Sequence, residues 1–331
     1  MSLRLSLALS EGGLALPSEG RIAVFHPVSG TDLSMLDQGR VVIVQPNFPD
    51  FRFFENAGYD VMTSAEDIVD PVAASIVFLP KAKAQARSLV ALAMQKSTDT
   101  VVIDGAKTEG IDSIYKDLRK RTDVSAALSK AHGKLFWLDS HPDTVADWLV
   151  SGGQRVGEFV TAPGVFSADG IDPASALLAK TLPRKLGRHV VDLGAGWGFL
   201  ASAILADEGV ETLDLVEASH DALSCARQNV TDPRARFHWA DARDWEPTER
   251  IDAVVSNPPF HTGRKVDADL GRDFIRTASR ILVSSGHFWM VANRHLAYEA
   301  VLKECFAEVT EPAGDNRFKV LHAKRPIRSL R

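Results

Sequence analysis

Cysteine is nearly absent: the 331-residue chain holds two, Cys225 and Cys305. No Cys-x-x-Cys pair occurs and no His/Cys cluster has zinc spacing, so neither a disulfide framework nor a bound metal is expected. The two thiols read as buried or idle groups in a reducing compartment. No stretch approaches the roughly 18 apolar residues that a spanning helix needs. The segment from Met1 to Pro17 lacks the basic start and small-residue cleavage site of a secretory leader. The expectation is a soluble, cytoplasmic chain with no membrane partner. Positive charge is not in excess either: 38 Lys and Arg stand against 43 Asp and Glu, for a net charge of −5. That argues against indiscriminate nucleic-acid binding, which needs cations facing phosphates. Two local basic groups remain. One is Lys116, Arg119, Lys120 and Arg121; the other is Arg317, Lys319, Lys324, Arg325, Arg328 and Arg331. Each reads as a solvated face or as a phosphate grip. Short repeats and low-complexity segments are also missing, and no feature predicts an oligomer.

What is present is ordinary globular composition, 45% hydrophobic and 24% charged, at a length that suits two domains. In the first half, Val41–Val44, Ser75–Leu79 and Thr100–Asp104 read as buried strands, and Lys83–Gln95 has helical apolar spacing. The second half alternates more cleanly. Strands are expected at His189–Leu193, Thr212–Glu217, Ala235–Trp239, Ala253–Asn257, Gly286–Ala292, Glu304–Thr310 and Arg317–Ala323. Helices are expected at Phe199–Ala206, Asp221–Asn229 and Ala268–Leu282. The last two strands are joined by only Glu311–Asn316, too short for a helical crossover, so that pair should be antiparallel. The expected fold is α/β: two tandem Rossmann-like domains, with a mostly parallel seven-stranded sheet and a C-terminal antiparallel hairpin in the second. The joint is placed at Ser151-Gly152-Gly153-Gln154, giving domains 1–152 and 153–331.

Four motifs in the second half carry chemistry. Asp192-Leu193-Gly194-Ala195-Gly196-Trp197-Gly198 joins a strand to a helix. Gly194, Gly196 and Gly198 allow a sharp turn and a close approach of backbone to ligand. Dinucleotide sites use the same unit. Asp192 at the strand end favours a ligand's cationic group and would repel a pyrophosphate. Glu217, 25 positions after Asp192 and at the next strand end, can take both ribose hydroxyls of an adenosine. Asp241 follows the third strand and suits an adenine amino group, or else a turn cap. Asn257-Pro258-Pro259-Phe260 closes the fourth strand. Two prolines fix φ and remove two donors. The Asn257 side-chain oxygen and the Pro258 carbonyl can then converge on one planar NH₂ group, with Phe260 stacked on it. Two acceptors hold the delocalised lone pair toward an electrophile and take up developing positive charge. Neither cysteine lies in a motif, so no covalent cysteine route is expected.

These motifs resemble the class I S-adenosylmethionine-dependent methyltransferases, and Asn-Pro-Pro-Phe is similar to the N-methyltransferase branch. The wider chain resembles the bacterial ribosomal RNA guanine-N2 methyltransferases of the small-subunit type. The supporting segments are Pro163-Gly164-Val165-Phe166-Ser167-Ala168-Asp169-Gly170-Ile171-Asp172, Asn257-Pro258-Pro259-Phe260-His261, Val291-Ala292-Asn293 and Arg317-Phe318-Lys319-Val320. The resemblance implies S-adenosyl-L-methionine as cofactor and small-subunit ribosomal RNA as partner. It implies that the segment around Phe166 folds over the cofactor and substrate pocket. It also implies a degenerate first domain with a structural or RNA-recognition role. The alternative substrates are a protein glutamine or adenine N6. In a duplicated first domain, Phe78-Leu79-Pro80-Lys81 falls where Asn257-Pro258-Pro259-Phe260 would stand. Val44-Gln45-Pro46-Asn47-Phe48 is assigned to the place of the glycine loop. Lys81, Lys83 and Arg87 would be free to touch phosphates.

Overall fold

The computed structural model describes residues 3–149, 153–259, 261–262, 265–266 and 268–328. The chain divides into two units, Met1–Gln154 and Arg155–Arg331.

The first unit is built on β1 (Ile22–Phe25), β2 (Val41–Val44), β3 (Asp60–Met62), β4 (Val72–Phe78), β5 (Ser97–Ala106), β6 (Leu128–Lys130) and β7 (Gly133–Asp139). They form one sheet in the order β3-β2-β1-β4-β5-β7-β6. The first five strands in that order pair in parallel, and β7 and β6 close the sheet antiparallel. Helices Phe48–Asn56, Lys83–Lys96 and Ile111–Leu118 run between strands. Apolar side chains are buried on both faces: Ala23, Phe25, Val42 and Val44 join one cluster, Ile22, Val24, Val41 and Ile43 the other. A strand covered on both sides has no polar face to alternate with, hence these near-continuous apolar runs.

The second unit starts with a two-stranded sheet, β8 (Gln154–Val156) and β9 (Phe159–Thr161). Its main sheet uses β10 (His189–Leu193), β11 (Thr212–Glu217), β12 (Ala235–Trp239), β13 (Ile251–Ser256), β16 (Leu282–Asn293), β17 (Phe306–Gly314) and β18 (Phe318–Pro326). Between them, β14 (His261–Thr262) and β15 (Lys265–Val266) make a short antiparallel pair. The order β12-β11-β10-β13-β16-β18-β17 repeats that of the first unit position for position. Helix Ala268–Ile281 shows why the layers hold. Phe274, Ile275, Ala278 and Ile281 recur at helical spacing and are all buried against the sheet.

Two expectations need correction. The central strand of the first unit is Ile22–Phe25, ahead of Val41–Val44. Phe25 pairs with Val44 as Leu193 pairs with Val216. The place of the glycine loop therefore belongs to His26–Gly30, and Val44-Gln45 corresponds to Val216-Glu217. Four apolar residues are as good a strand as Val41–Val44; the crossover order decides which is central. In the second unit, Glu304 and Cys305 end helix Glu299–Cys305, and β17 begins at Phe306. It continues through Pro312 because its register shifts between Thr310 and Ala313. A bulge on an edge strand tolerates a residue without an N–H.

Candidate active site

The parallel strands of the second unit end together, and their C-terminal edge carries the motifs. Gly194, Gly196 and Gly198 adopt φ of 80°, 55° and 89°. A Cβ on Gly196 would meet no atom within 4 Å, so this glycine faces open space. Its N–H donates to Glu217 Oε2 at 2.8 Å, and the Ser219 N–H donates to Oε1 at 2.8 Å. Glu217 thus stands rigidly at the end of β11, with at least one acceptor direction of its carboxylate left over. Burial raises its pKa, and backbone hydrogen bonds from Ser219, Gly196 and Ala218 act against that rise.

Asp192 is fully buried, and neither of its carboxylate oxygens has a hydrogen-bond partner among the described residues. Burial, with the Glu217 charge adding to it, pushes the carboxyl up to about 8. Folded proteins rarely leave such a group unsatisfied, because desolvation without compensation costs about 1–3 kcal/mol or more. The carboxylate lacks a cation or a donor.

Asn257 follows β13, where buried Ser256 Oγ donates to the Leu193 carbonyl at 2.6 Å and ties the two strand ends together. Its Nδ2 donates to Asp172 Oδ2 at 2.9 Å and to Ser175 Oγ at 2.8 Å. Its Oδ1 is buried with no partner among the described residues. An asparagine at a turn commonly accepts from the backbone N–H two residues on. That residue is Pro259, which has none, and Pro258 has none either. The two prolines cannot donate to it, and no other described residue does. Asn257, Asp172, Ser175, Gly194, Gly196 and Phe166 line one cleft of about 380 Å³.

Phe166 is 57% exposed at the cleft, and its carbonyl accepts from Trp197 Nε1 at 2.9 Å. The segment before the glycine loop is thereby fastened to the loop itself. Asp241 follows Ala240, whose N–H donates to the Glu217 carbonyl at 3.1 Å, but its carboxylate is engaged: it takes the Arg243 guanidinium, Nη2 to Oδ2 at 2.5 Å, and caps the turn through the Arg243 N–H at 2.9 Å. The turn function foreseen for it is present. Phe260 lies outside the described residues. Cys225 is buried, and burial with the Asp221 charge pushes its thiol up to about 11, away from nucleophilic use. No cluster of three or more metal-ligating side chains occurs among the described residues. No helix there is long and apolar enough to cross a membrane.

Sequence reasoning missed Asp172, Ser175 and Asn229. Asp172-Pro173 is legible as a helix cap followed by a proline at the first helical position. The reach of Asp172 to Asn257, 85 residues away, is not. Asn229 Nδ2 donates to the Val160 and Trp197 carbonyls, both at 2.8 Å, and locks the loop from behind.

A doubly wound sheet with its loops and orphaned acceptors at this edge defines a methyltransferase, and residues 157–322 match the family described as Methyltransferase small domain. A ribosomal RNA small subunit methyltransferase C of Shewanella piezotolerans is 32% identical over 257 residues, 74% of this chain and 75% of the relative. The enzyme of the same name from Psychromonas ingrahamii is 27% identical over 299 residues, covering 83% and 84%. The chain belongs to the ribosomal RNA small subunit methyltransferase C family. Its fold matches the T. thermophilus 16S rRNA N2 G1207 methyltransferase, solved with AdoMet and guanosine. The TM-score is 0.78 at 22% identity, over 94% of this chain and 90% of the other.

Proposed function

We propose that this chain transfers a methyl group from S-adenosyl-L-methionine to the exocyclic N2 of a guanine in 16S ribosomal RNA. The observation that carries the reading is the acceptor Asn257 Oδ1, which has no partner among the described residues and none to gain from Pro258 and Pro259. An amino group is the ligand that such an oxygen calls for.

The cofactor fits what this sheet edge leaves unsatisfied. Asp192 has no hydrogen-bond partner on either oxygen among the described residues, Glu217 keeps at least one acceptor direction, and Gly196 faces space that a Cβ would fill. We assign the amino-acid end to Asp192, the ribose to Glu217, and close backbone contact to Gly194, Gly196 and Gly198, with Phe166 over the pocket. When bound, the cofactor supplies an electrophilic methyl group on a sulfonium centre. Asn257 Oδ1 and the Pro258 carbonyl accept from the guanine amino group, turn its lone pair outward and offset the positive charge that develops on nitrogen. Phe260 is assigned to stack on the base. Asp241, already holding Arg243, is the weakest of the cofactor assignments.

A base reaches such a cleft by leaving its stack. We assign grip on the cytoplasmic small subunit's RNA to the first unit, through Lys81 and Lys83. Arg87 is taken by Asp117 at 2.6 Å, and its guanidinium lies 5.2 Å from the Trp148 ring centre. The C-terminal basic set is also largely engaged: Lys319 pairs with Glu299, while Lys324 and Arg325 pair with Glu308.

The test offers labelled S-adenosylmethionine with 30S subunits, free 16S rRNA, 50S subunits and a release factor in parallel, followed by digestion. Label recovered as N2-methylguanosine from 30S subunits or 16S rRNA is the expected result. Label found as N6-methyladenosine, or only in the release factor, would overturn the reading.

A further inference from the structure

The amide of Asn257, a residue that lines the cleft, has two ends, and only one orientation leaves an acceptor unspent. Rotated by half a turn about its last bond, it would present NH₂ and select a carbonyl or ring nitrogen. The surroundings decide between the two. On one side stand Asp172 Oδ2 at 2.9 Å and Ser175 Oγ at 2.8 Å. A carboxylate accepts and cannot donate, so the amide NH₂ must face it. Both N–H bonds of Asn257 are then spent, and Oδ1 is left as the unspent end of an amide that lines the cleft. Asp172 is itself held: its Oδ2 accepts the Ser175 N–H at 2.7 Å and caps helix Pro173–Thr181. Ser175 is buried in the first turn of that helix. Both holders therefore stand on one rigid helix start.

We propose that Asp172 and Ser175 are positioning residues that fix the polarity of the Asn257 amide and thereby select an amino group as methyl acceptor. The proposal rests on Asn257 as the acceptor argued above. Neither residue needs to touch the base. They remove the alternative rotamer, which would place a donor against the guanine amino group and repel it. The pre-set amide also reaches the transition state without reorganising, the source of most of such a group's effect.

The experiment measures kcat with 30S subunits, S-adenosylmethionine affinity by calorimetry, and thermal midpoint, for Ser175→Ala, Asp172→Asn, Asp172→Ala and Asn257→Ala. It adds the double variants that combine Asn257→Ala with each of the others. Ser175→Ala should lower kcat about fivefold and Asp172→Ala about 10- to 100-fold, the range for neutral and charged hydrogen bonds. S-adenosylmethionine affinity should not change. Asp172→Asn should restore most of the turnover, since its amide oxygen still accepts. In the Asn257→Ala background, Ser175→Ala and Asp172→Ala should cost nothing further. Asp172→Ala also loses a helix cap. Should it fail to fold, Ser175→Ala, which keeps the capped backbone N–H, and Asp172→Asn decide the matter. Losses that add in the double variants, or a full-rate Ser175→Ala, would overturn the proposal. Normal turnover in Asn257→Ala would instead sink the parent reading and leave the amide's polarity without consequence.

Discussion

The two units share one strand order and differ in what their sheet edges leave unsatisfied. By register, Val24 stands where Asp192 does, His26 where Gly194 does, Gln45 where Glu217 does, and Phe78 where Asn257 does. The turn after the central strand is kept: the His26 N–H donates to the Val44 carbonyl, as the Gly194 N–H does to Val216, both at 2.9 Å. Even φ is kept, at 56° and 80°. The polar accounting is not. Gln45 Oε1 accepts from the Asn47 N–H at 2.9 Å, and its Nε2 donates to the Pro27 carbonyl at 2.8 Å. In the second unit the corresponding peptide turns its N–H, from Gly196, toward Glu217. The first unit spends its strand-end side chain on itself; the second leaves Asp192 and Asn257 waiting. A cavity remains beside His26 and Phe78, and burial holds the His26 imidazole down to about 4, hence neutral. What separates the units is unmet hydrogen-bonding capacity on a shared topology.

That contrast can be broken or sharpened by exchange. The largest effect should follow Asn257→Ala, a loss of about 10²-fold in turnover with cofactor still bound, the scale of one positioned polar group. Single-turnover methylation of 30S subunits would reveal it, and near-normal rates would erase the distinction drawn at this position. Glu217→Gln imports the first unit's residue and should weaken S-adenosylmethionine by about 1.5–3 kcal/mol, or roughly 10- to 100-fold. Calorimetry returning an unchanged affinity would contradict the ribose assignment.

Asp192→Asn should act through pH. The folded carboxyl keeps its proton up to about pH 8, whereas an unperturbed one releases it near 3.8. The folded state thus binds more protons across that window, and the ligand-free chain loses stability as pH rises through it. Asp192→Asn should remove that slope and raise the thermal midpoint most at pH 8 and above. It should also abolish the gain in cofactor affinity expected of the natural chain as Asp192 ionises. Midpoints of the two chains that fall in parallel with pH would refute the assignment.

The reverse exchange, Gln45→Glu, should create no cofactor site. It should destabilise by about 1–3 kcal/mol, because the N–H that meets the Pro27 carbonyl would be replaced by a buried carboxylate oxygen facing it. Denaturant melts and calorimetry together test both halves of that statement. The smallest effect belongs to His26→Gly. A left-handed residue costs about 1–2 kcal/mol, and glycine's extra chain entropy takes back about 0.5–1. The midpoint should hold or rise slightly. A clear fall would mean that the imidazole holds the turn in place.

Much of the second unit was legible because its signals are local. The strands His189–Leu193, Thr212–Glu217 and Ala235–Trp239 occur as read from apolar runs bounded by turn residues. The glycine loop and the Asn-Pro-Pro turn are short motifs whose backbone demands can be read from residue type. The first unit was harder. Ile22–Phe25 is four residues long and has no motif after it, so nothing local marks it as central. The bulge that carries β17 through Pro312 depends on pairing with β18, which sequence spacing does not reveal.

Residue types alone determined the αL glycines, the donor-free pair Pro258-Pro259, the carboxylates at strand ends and the alternation that makes a doubly wound sheet. Each is a property of a side chain or of a few consecutive residues. The folded chain decided which acceptors stay empty, since that depends on every neighbour brought near. It supplied Asp172 and Ser175 to spend the Asn257 N–H groups and Arg243 to occupy Asp241. It also turned Gln45 inward on its own loop. Whether a polar group ends up satisfied depends on partners both near and far in the chain, such as Arg243 for Asp241 and Asp172 for Asn257, and their meeting is fixed only in three dimensions.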